Sequence, residues 1–262
     1  MSWDPLFTVP FFAGLLVAAA LATIGVLLRL RQEWLAALGF AHLAGASALL
    51  GLAIHLPAVI SATGGALLGA TVKTFGKSRG NTIYALMILV GWSATMILAA
   101  NTTLGSSIGH AMIEGQLYFS GMIHLTAAAI LLIATVAGLY QLMPIVIRDR
   151  FFPGFYSANR LPAWRWHLAF DLLTALAMAI GTATVGLMAA FALVFLPPLI
   201  AFRLARHWRQ ALAISIGVGV VGYVLTFVLA LGLDQPFGPV QVALLVLAYA
   251  VTPSLQSLRS KF

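Results

Sequence analysis

The stretch "GLMAAFALVFLPPLIAFRLARHWRQ" (186–210) decides how this chain is read. An apolar piece runs from Leu187 to Ile200, meets a double proline at Pro197 and Pro198, and gives way to Arg203, Arg206 and Arg209 at spacing three. Whether that piece crosses a membrane fixes the side on which the three arginines lie, and with them every charge further along the chain.

That a membrane is involved follows from composition. The chain has 262 residues, 62% hydrophobic and 8% charged, with a mean hydropathy of +1.04. Soluble chains carry about 25% charged residues, so this one cannot cover itself with polar surface and lipid must be its solvent. The apolar runs are continuous rather than alternating, which predicts helices and not a barrel. The expected fold class is therefore all-α, a polytopic transmembrane helical bundle. Absence of cysteine excludes disulfides, thiolate metal sites and catalytic thiols. The first apolar run lacks a basic leader and follows Asp4, so it reads as a retained span.

A span needs roughly 20 apolar residues. Spans are expected near 8–28, 34–54, 57–72, 81–100, 117–147, 166–185, 211–232 and 237–253. The piece 187–200 is a ninth crossing or a half-helix, since its length in a helix is ~21 Å. All 14 Lys and Arg fall at alternate boundaries when the piece counts as a crossing. The net charge of +8 is then the positive-inside signal rather than a sign of nucleic-acid binding. The N-terminus is expected outside and the C-terminus in the cytoplasm, with residues 1–262 forming one transmembrane domain.

Taken as a helix, residues 201–210 put Arg203, Arg206, His207 and Gln210 on one face and Ala201, Leu204, Ala205 and Trp208 on the other, with Arg209 at the edge. Such a helix suits either anionic headgroups or a soluble partner.

Longer patterns bear on that choice. "TATVGLMAAFALVFLPPLIAFRLARHWRQALAISIGVGVVGYVLTFVLALGLDQPFGPVQVALLVLAYAV" (182–251) resembles the C-terminal half of the ABC-3 family, the permease subunits of zinc and manganese ABC importers. The order of parts agrees: Val-Gly, a short apolar helix, Leu-Pro, an Arg-rich stretch, a Gly-rich span, and a turn ending in Pro-x-Gly-Pro. "RFFPGFYSANRLPAWRWHLAFDLLTALAMA" (150–179), "GQLYFSGMIHLTAAA" (115–129) and "ALGFAHLAGASALLG" (37–51) are similar to further family segments. The resemblance implies a homodimer in a bacterial inner membrane, working with cytoplasmic ATPase subunits and an extracytoplasmic binding protein. It implies that 201–210 is the coupling helix that rests in an ATPase cleft, through Arg203, Leu204, Arg206, His207, Trp208 and Arg209. No Gly-x-x-x-x-Gly-Lys-Ser/Thr occurs, so ATP is expected on the partner subunit. The chain itself is expected to hold no cofactor, only a passing divalent metal.

His42 is the main pathway candidate. An ionisable group in mid-span is costly and functional by default. Neutral imidazole suits zinc and accepts manganese. His42 matches the family's second-span His, but Leu38 stands where the family has Asp, and Asn81 where it usually has an acid. The plainer alternative for His42 is a hydrogen bond to a neighbouring helix. His124 could meet it in a central cavity and complete a metal pair, or make a helix-to-helix contact. Asp171 and His167, four apart, fit a shared ion, although the helix dipole and Arg165 would also stabilise that carboxylate. His110 and Glu114, with His55, are candidates for the outer mouth, or for a solvated face. Zinc is favoured over manganese and iron because His outnumbers embedded carboxylate among the candidates.

Two other classes compete. An ion-coupled secondary transporter of another small solute needs embedded carboxylates that exchange protons, and Asp171 alone is poor provision. A membrane enzyme needs a convergent acid, base or metal set. The sequence shows no Ser/His/Asp set and no His-Glu-x-x-His.

Overall fold

A computed structural model describes residues 5–75, 81–101, 117–152 and 154–259. Among these, nine long helices follow one another: α1 (Thr8–Arg31), α2 (Leu35–Ala53), α3 (Ala58–Phe75), α4 (Asn81–Asn101), α5 (Met122–Phe151), α6 (Ala163–Val185), α7 (Leu187–Leu204), α8 (Trp208–Gly232) and α9 (Phe237–Arg259). Eight are long and apolar enough to cross a membrane, and α9 carries a shorter apolar stretch, Phe237–Pro253. Three-residue 3-10 turns precede α1 and α5, and a single helical turn, Phe155–Ala158, lies between α5 and α6.

The central element is α1, packed against α5, α6, α7 and α8. Its buried face is built from Ala13, Val17, Leu21, Ile24 and Leu28, with small residues between them. Around it, α2 lies against α3, α4 and α6, and α9 closes over α7 and α8. Small side chains let these helices approach closely, and dispersion rather than water expulsion holds them together in lipid. Away from the basic junctions, Phe11, Tyr118, Tyr223 and Phe227 form an aromatic cluster with ring centroids 5.2–6.1 Å apart. The Tyr223 hydroxyl donates to the Phe11 carbonyl at 3.0 Å, tying α8 to the start of α1.

The apolar piece that begins at Leu187 is a full helix. It continues through Pro197 and Pro198 as far as Leu204, so its 18 residues span about 27 Å. A proline in mid-helix frees the carbonyl four residues earlier. Here the carbonyl of Val194, left without the Pro198 N–H, faces Gly25 of α1. A Cβ at Gly25 would overlap that oxygen and the Pro198 ring. Close packing on a glycine thus carries the helix through its double proline. The half-helix alternative, with its 14-residue limit, is corrected.

A second correction concerns 201–210, which is not one helix. α7 ends at Leu204, Ala205 is extended (φ −83°, ψ 147°), and α8 begins at Trp208 with His207 as its N-cap. The His207 Nδ1 accepts the Gln210 N–H at 3.2 Å, and the Gln210 side chain accepts the Arg206 N–H at 2.9 Å. These two bonds reward the break and stop α7 from running into α8. The stretch is a helix–turn–helix corner.

Candidate functional site

His42 is buried on α2, facing α4. Its ring meets the Trp92 ring edge-on, with centroids 5.9 Å apart and planes at 77°. Gly91 makes this approach feasible, since a Cβ there would lie 2.6 Å from the His42 carbonyl carbon. Leu38, one turn earlier, is partly buried among apolar neighbours. The ring is therefore held from one side by an aromatic edge.

The meeting of His42 with His124 is not found. His124 sits in the first turn of α5, where its Nδ1 accepts the backbone N–H of Gly121 at 3.3 Å. That bond satisfies one of the free donors at the helix start, and it turns the imidazole toward its own backbone. The main neighbours of α2 are α3, α4, α6 and α7. Among the described residues no group of three His, Asp or Glu is arranged to hold a metal ion.

Asp171 and His167 turn to different partners. Asp171 Oδ2 takes the Lys73 ammonium at 2.6 Å and the Thr74 hydroxyl at 3.3 Å, both from the end of α3. His167 turns to α1, where its Nδ1 accepts from Arg31 at 2.9 Å, leaving the ring proton on Nε2. Arg31 also pairs with Glu33 at 3.0 Å and lies 4.3 Å over the Phe170 ring. Glu33 closes the set. It accepts the Tyr84 hydroxyl at 3.3 Å and lies 3.8 Å from Lys73. Two acids, two bases and a histidine thus knit α1, α3, α4 and α6 together at the basic end. Asp171 Oδ1 is buried with no hydrogen-bond partner among the described residues.

Sequence reasoning missed this network because Lys73 was taken only as a boundary charge and Glu33 was not weighed at all. A signal was present. Lys73 stands inside the helical pattern, two residues before Phe75, and Glu33 is an acid set directly against a basic pair. Glu33 is brought under α1 by local geometry. Gln32 adopts a left-handed conformation (φ 60°), and the Gln32 and Glu33 N–H groups return to the Arg29 and Leu28 carbonyls at 3.2 and 3.1 Å. This is the αL stop that closes many helices.

His55 also has a left-handed backbone (φ 61°) and is exposed just beyond α2. His110 and Glu114 lie outside the described residues.

At the corner, Arg203 reaches α9. Its guanidinium lies 4.0 Å over the Tyr249 ring and donates to the Tyr249 hydroxyl and, at 3.3 Å, to the Thr252 hydroxyl. Leu204 ends α7 half-buried, and Trp208 starts α8 half-buried with Arg209 5.4 Å over its ring. Arg206, His207 and Arg209 are exposed. No large apolar side chain in 199–210 is exposed.

Among solved structures, the fold is similar to "PsaBC from Streptococcus pneumoniae in complex with Fab", with a TM-score of 0.83, 16% identity, and coverage of 99% of this chain and 96% of that one. It is also similar to "An inward-facing conformation of a putative metal-chelate type ABC transporter", with a TM-score of 0.67, 14% identity, and coverage of 97% and 85%. At these identities the likeness concerns the fold. No curated protein matches the chain in sequence. The sequence pattern of one family covers residues 4–255, nearly the whole bundle. The chain belongs to the ABC 3 transport family.

Proposed function

We propose that this chain is the membrane-spanning subunit of an ABC importer for a divalent transition metal, zinc by preference, with His42 on the transport path. The reading includes a second copy of the chain, a cytoplasmic ATPase bound at the α7–α8 corner, an extracytoplasmic binding protein, and an inner-membrane setting with the C-terminus inside. ATP-driven alternating access moves the cargo. The ATPase shifts the corner, and α7 and α8, both packed on α1, carry the displacement into the bundle.

The observation that supports this most is the surface of the corner. Arg206, His207 and Arg209 are exposed at a junction fixed by capping bonds and free of large exposed apolar groups. A surface of that kind faces water and a polar partner rather than hydrocarbon. Arg203 is reassigned. Its contacts with Tyr249 and Thr252 make it a brace between α7 and α9. The ion-coupled alternative needs an embedded carboxylate that takes and releases protons, and Asp171 is instead paired with Lys73.

The test is co-purification of the cognate ATPase with wild type and with R206E/R209E, alongside ATP-driven zinc uptake in vesicles. Reversal should abolish association or uncouple ATP turnover from uptake. Full association with normal uptake would remove the corner from the mechanism. For the cargo, H42A should lower zinc uptake at least tenfold while H55A changes it less than twofold. Equal and mild losses would return His42 to a packing role.

A further inference from the structure

The second basic junction has a different surface. Between the last turn of α5 and the first turn of α6, residues 148–166 carry four arginines, Arg148, Arg150, Arg160 and Arg165, against one acid, Asp149. All four arginines are exposed. Among the described residues none of them forms an ion pair. Interleaved with them are Phe151, Phe152, Leu161, Trp164 and Trp166, each 42–70% exposed. The two chain ends of this segment are held together, since Asp149, Tyr156, Ala163, Trp166 and His167 line one cleft.

A surface that is both cationic and aromatic is costly in water and costly in hydrocarbon. It fits the boundary between them, where Trp and Tyr collect and where arginine stems lie along apolar surface with the guanidinium in the headgroups. The position agrees. Phe151 ends one membrane helix and Trp164 stands at the start of the next. The contacts agree as well. The Arg148 guanidinium lies 5.0 Å over the Phe155 ring, and that of Arg165 lies 5.7 Å over the Trp164 ring. Each pair offers a ring to the acyl boundary and a planar fork of donors to a phosphate.

We infer that Arg148, Arg150, Arg160 and Arg165, with the aromatic side chains between them, form a binding surface for anionic phospholipid headgroups of the surrounding leaflet, with the arginines on the phosphates and Phe151, Phe152, Trp164 and Trp166 at the acyl boundary. Charge complementarity selects the occupant. A neutral lipid satisfies the rings but leaves the four cations uncompensated, while each arginine near an anionic surface favours it about fivefold. The surface thereby fixes the height of α5 and α6 in the bilayer.

The test uses the full chain with W3F, W34F, W92F and W208F, so that Trp164 and Trp166 are the remaining emitters. It is reconstituted in phosphatidylcholine vesicles containing a small fraction of brominated phosphatidylglycerol, or the same fraction of brominated phosphatidylcholine. Quenching by the anionic lipid should exceed that by the neutral lipid at least twofold, and the excess should vanish in R150Q/R160Q/R165Q. Equal quenching by the two lipids would overturn the inference, as would an excess that survives loss of the arginines. So would tryptophans that neither lipid quenches and that become shielded on adding the cognate ATPase, an outcome that makes this a protein-docking face. Should the four Phe substitutions prevent folding, native mass spectrometry of the chain with its own tryptophans decides. Retained phosphatidylglycerol should fall severalfold in the triple arginine variant, and unchanged retention would overturn the assignment.

Discussion

The α7–α8 corner and the α5–α6 linker both present arginines at the ends of membrane helices, and in sequence they look alike. Their surfaces differ in what lies between the charges. At the corner, Phe202, Leu204 and Trp208 are partly turned inward, and cations with a capping histidine remain outside. In the linker, Phe151, Phe152, Trp164 and Trp166 stay outside beside the cations. The difference arises from length. A break of three residues, Ala205 to His207, forces α7 and α8 against each other and buries their terminal apolar groups. The 11 residues between α5 and α6 impose no such packing, and the aromatic side chains at both helix ends stay exposed. Basic charge near a membrane therefore says little by itself about the partner. The exposure of the apolar residues around it carries the distinction.

The comparison can be broken most directly by charge reversal. R206E/R209E at the corner is expected to reduce ATPase association at least tenfold, whereas R160E/R165E in the linker should change it less than twofold. Pull-down at matched expression measures both, and equal losses would erase the distinction between the surfaces.

The supports of the two regions can be separated next. The linker leads into α6, whose first turns are held by Lys73 on Asp171. K73M leaves a buried, uncompensated carboxylate and should destabilise the fold by about 3–5 kcal/mol. K73M/D171N should recover most of that loss, since neither charge then remains. Thermal unfolding in detergent reads this, and a double variant as unstable as the single would show that packing around Lys73, not charge, is at stake.

At the corner the corresponding support is Gly25 beneath Val194 and Pro198. G25A pushes α7 away from α1 and should cost about 1–3 kcal/mol. It should also weaken ATPase association while leaving lipid binding at the linker intact. Unaltered stability would mean that α7 does not depend on this close approach.

The smallest effect is expected from Arg203. With its guanidinium over Tyr249, R203K keeps the charge but loses the planar stacking, a difference of about 0.5–1 kcal/mol at an exposed site. Association should hold and thermal stability should drop slightly. A strong loss of association in R203K would return Arg203 to the ATPase-facing set.

The sequence by itself determined the solvent, the helical class, the number of long helices to within the ambiguity at 187–200, and the alternate placement of the basic clusters. These follow from one-dimensional quantities, namely the length of an apolar run, the absence of a period-two pattern and the spacing of charges, and the bilayer imposes them without reference to neighbours. It also placed His42 inside a span and the exposed arginines at the corner. What only the tertiary structure decided are the pairings. His167 turns to Arg31 and Asp171 to Lys73, 98 positions away, and His124 caps its own helix. Arg203 lies on Tyr249, and Gly25 carries α7 through two prolines. A buried charge is stable only where another helix brings its counter-charge within a few ångströms. Helical spacing names the residues that share a face, but which helix meets that face is set by the packing of all nine.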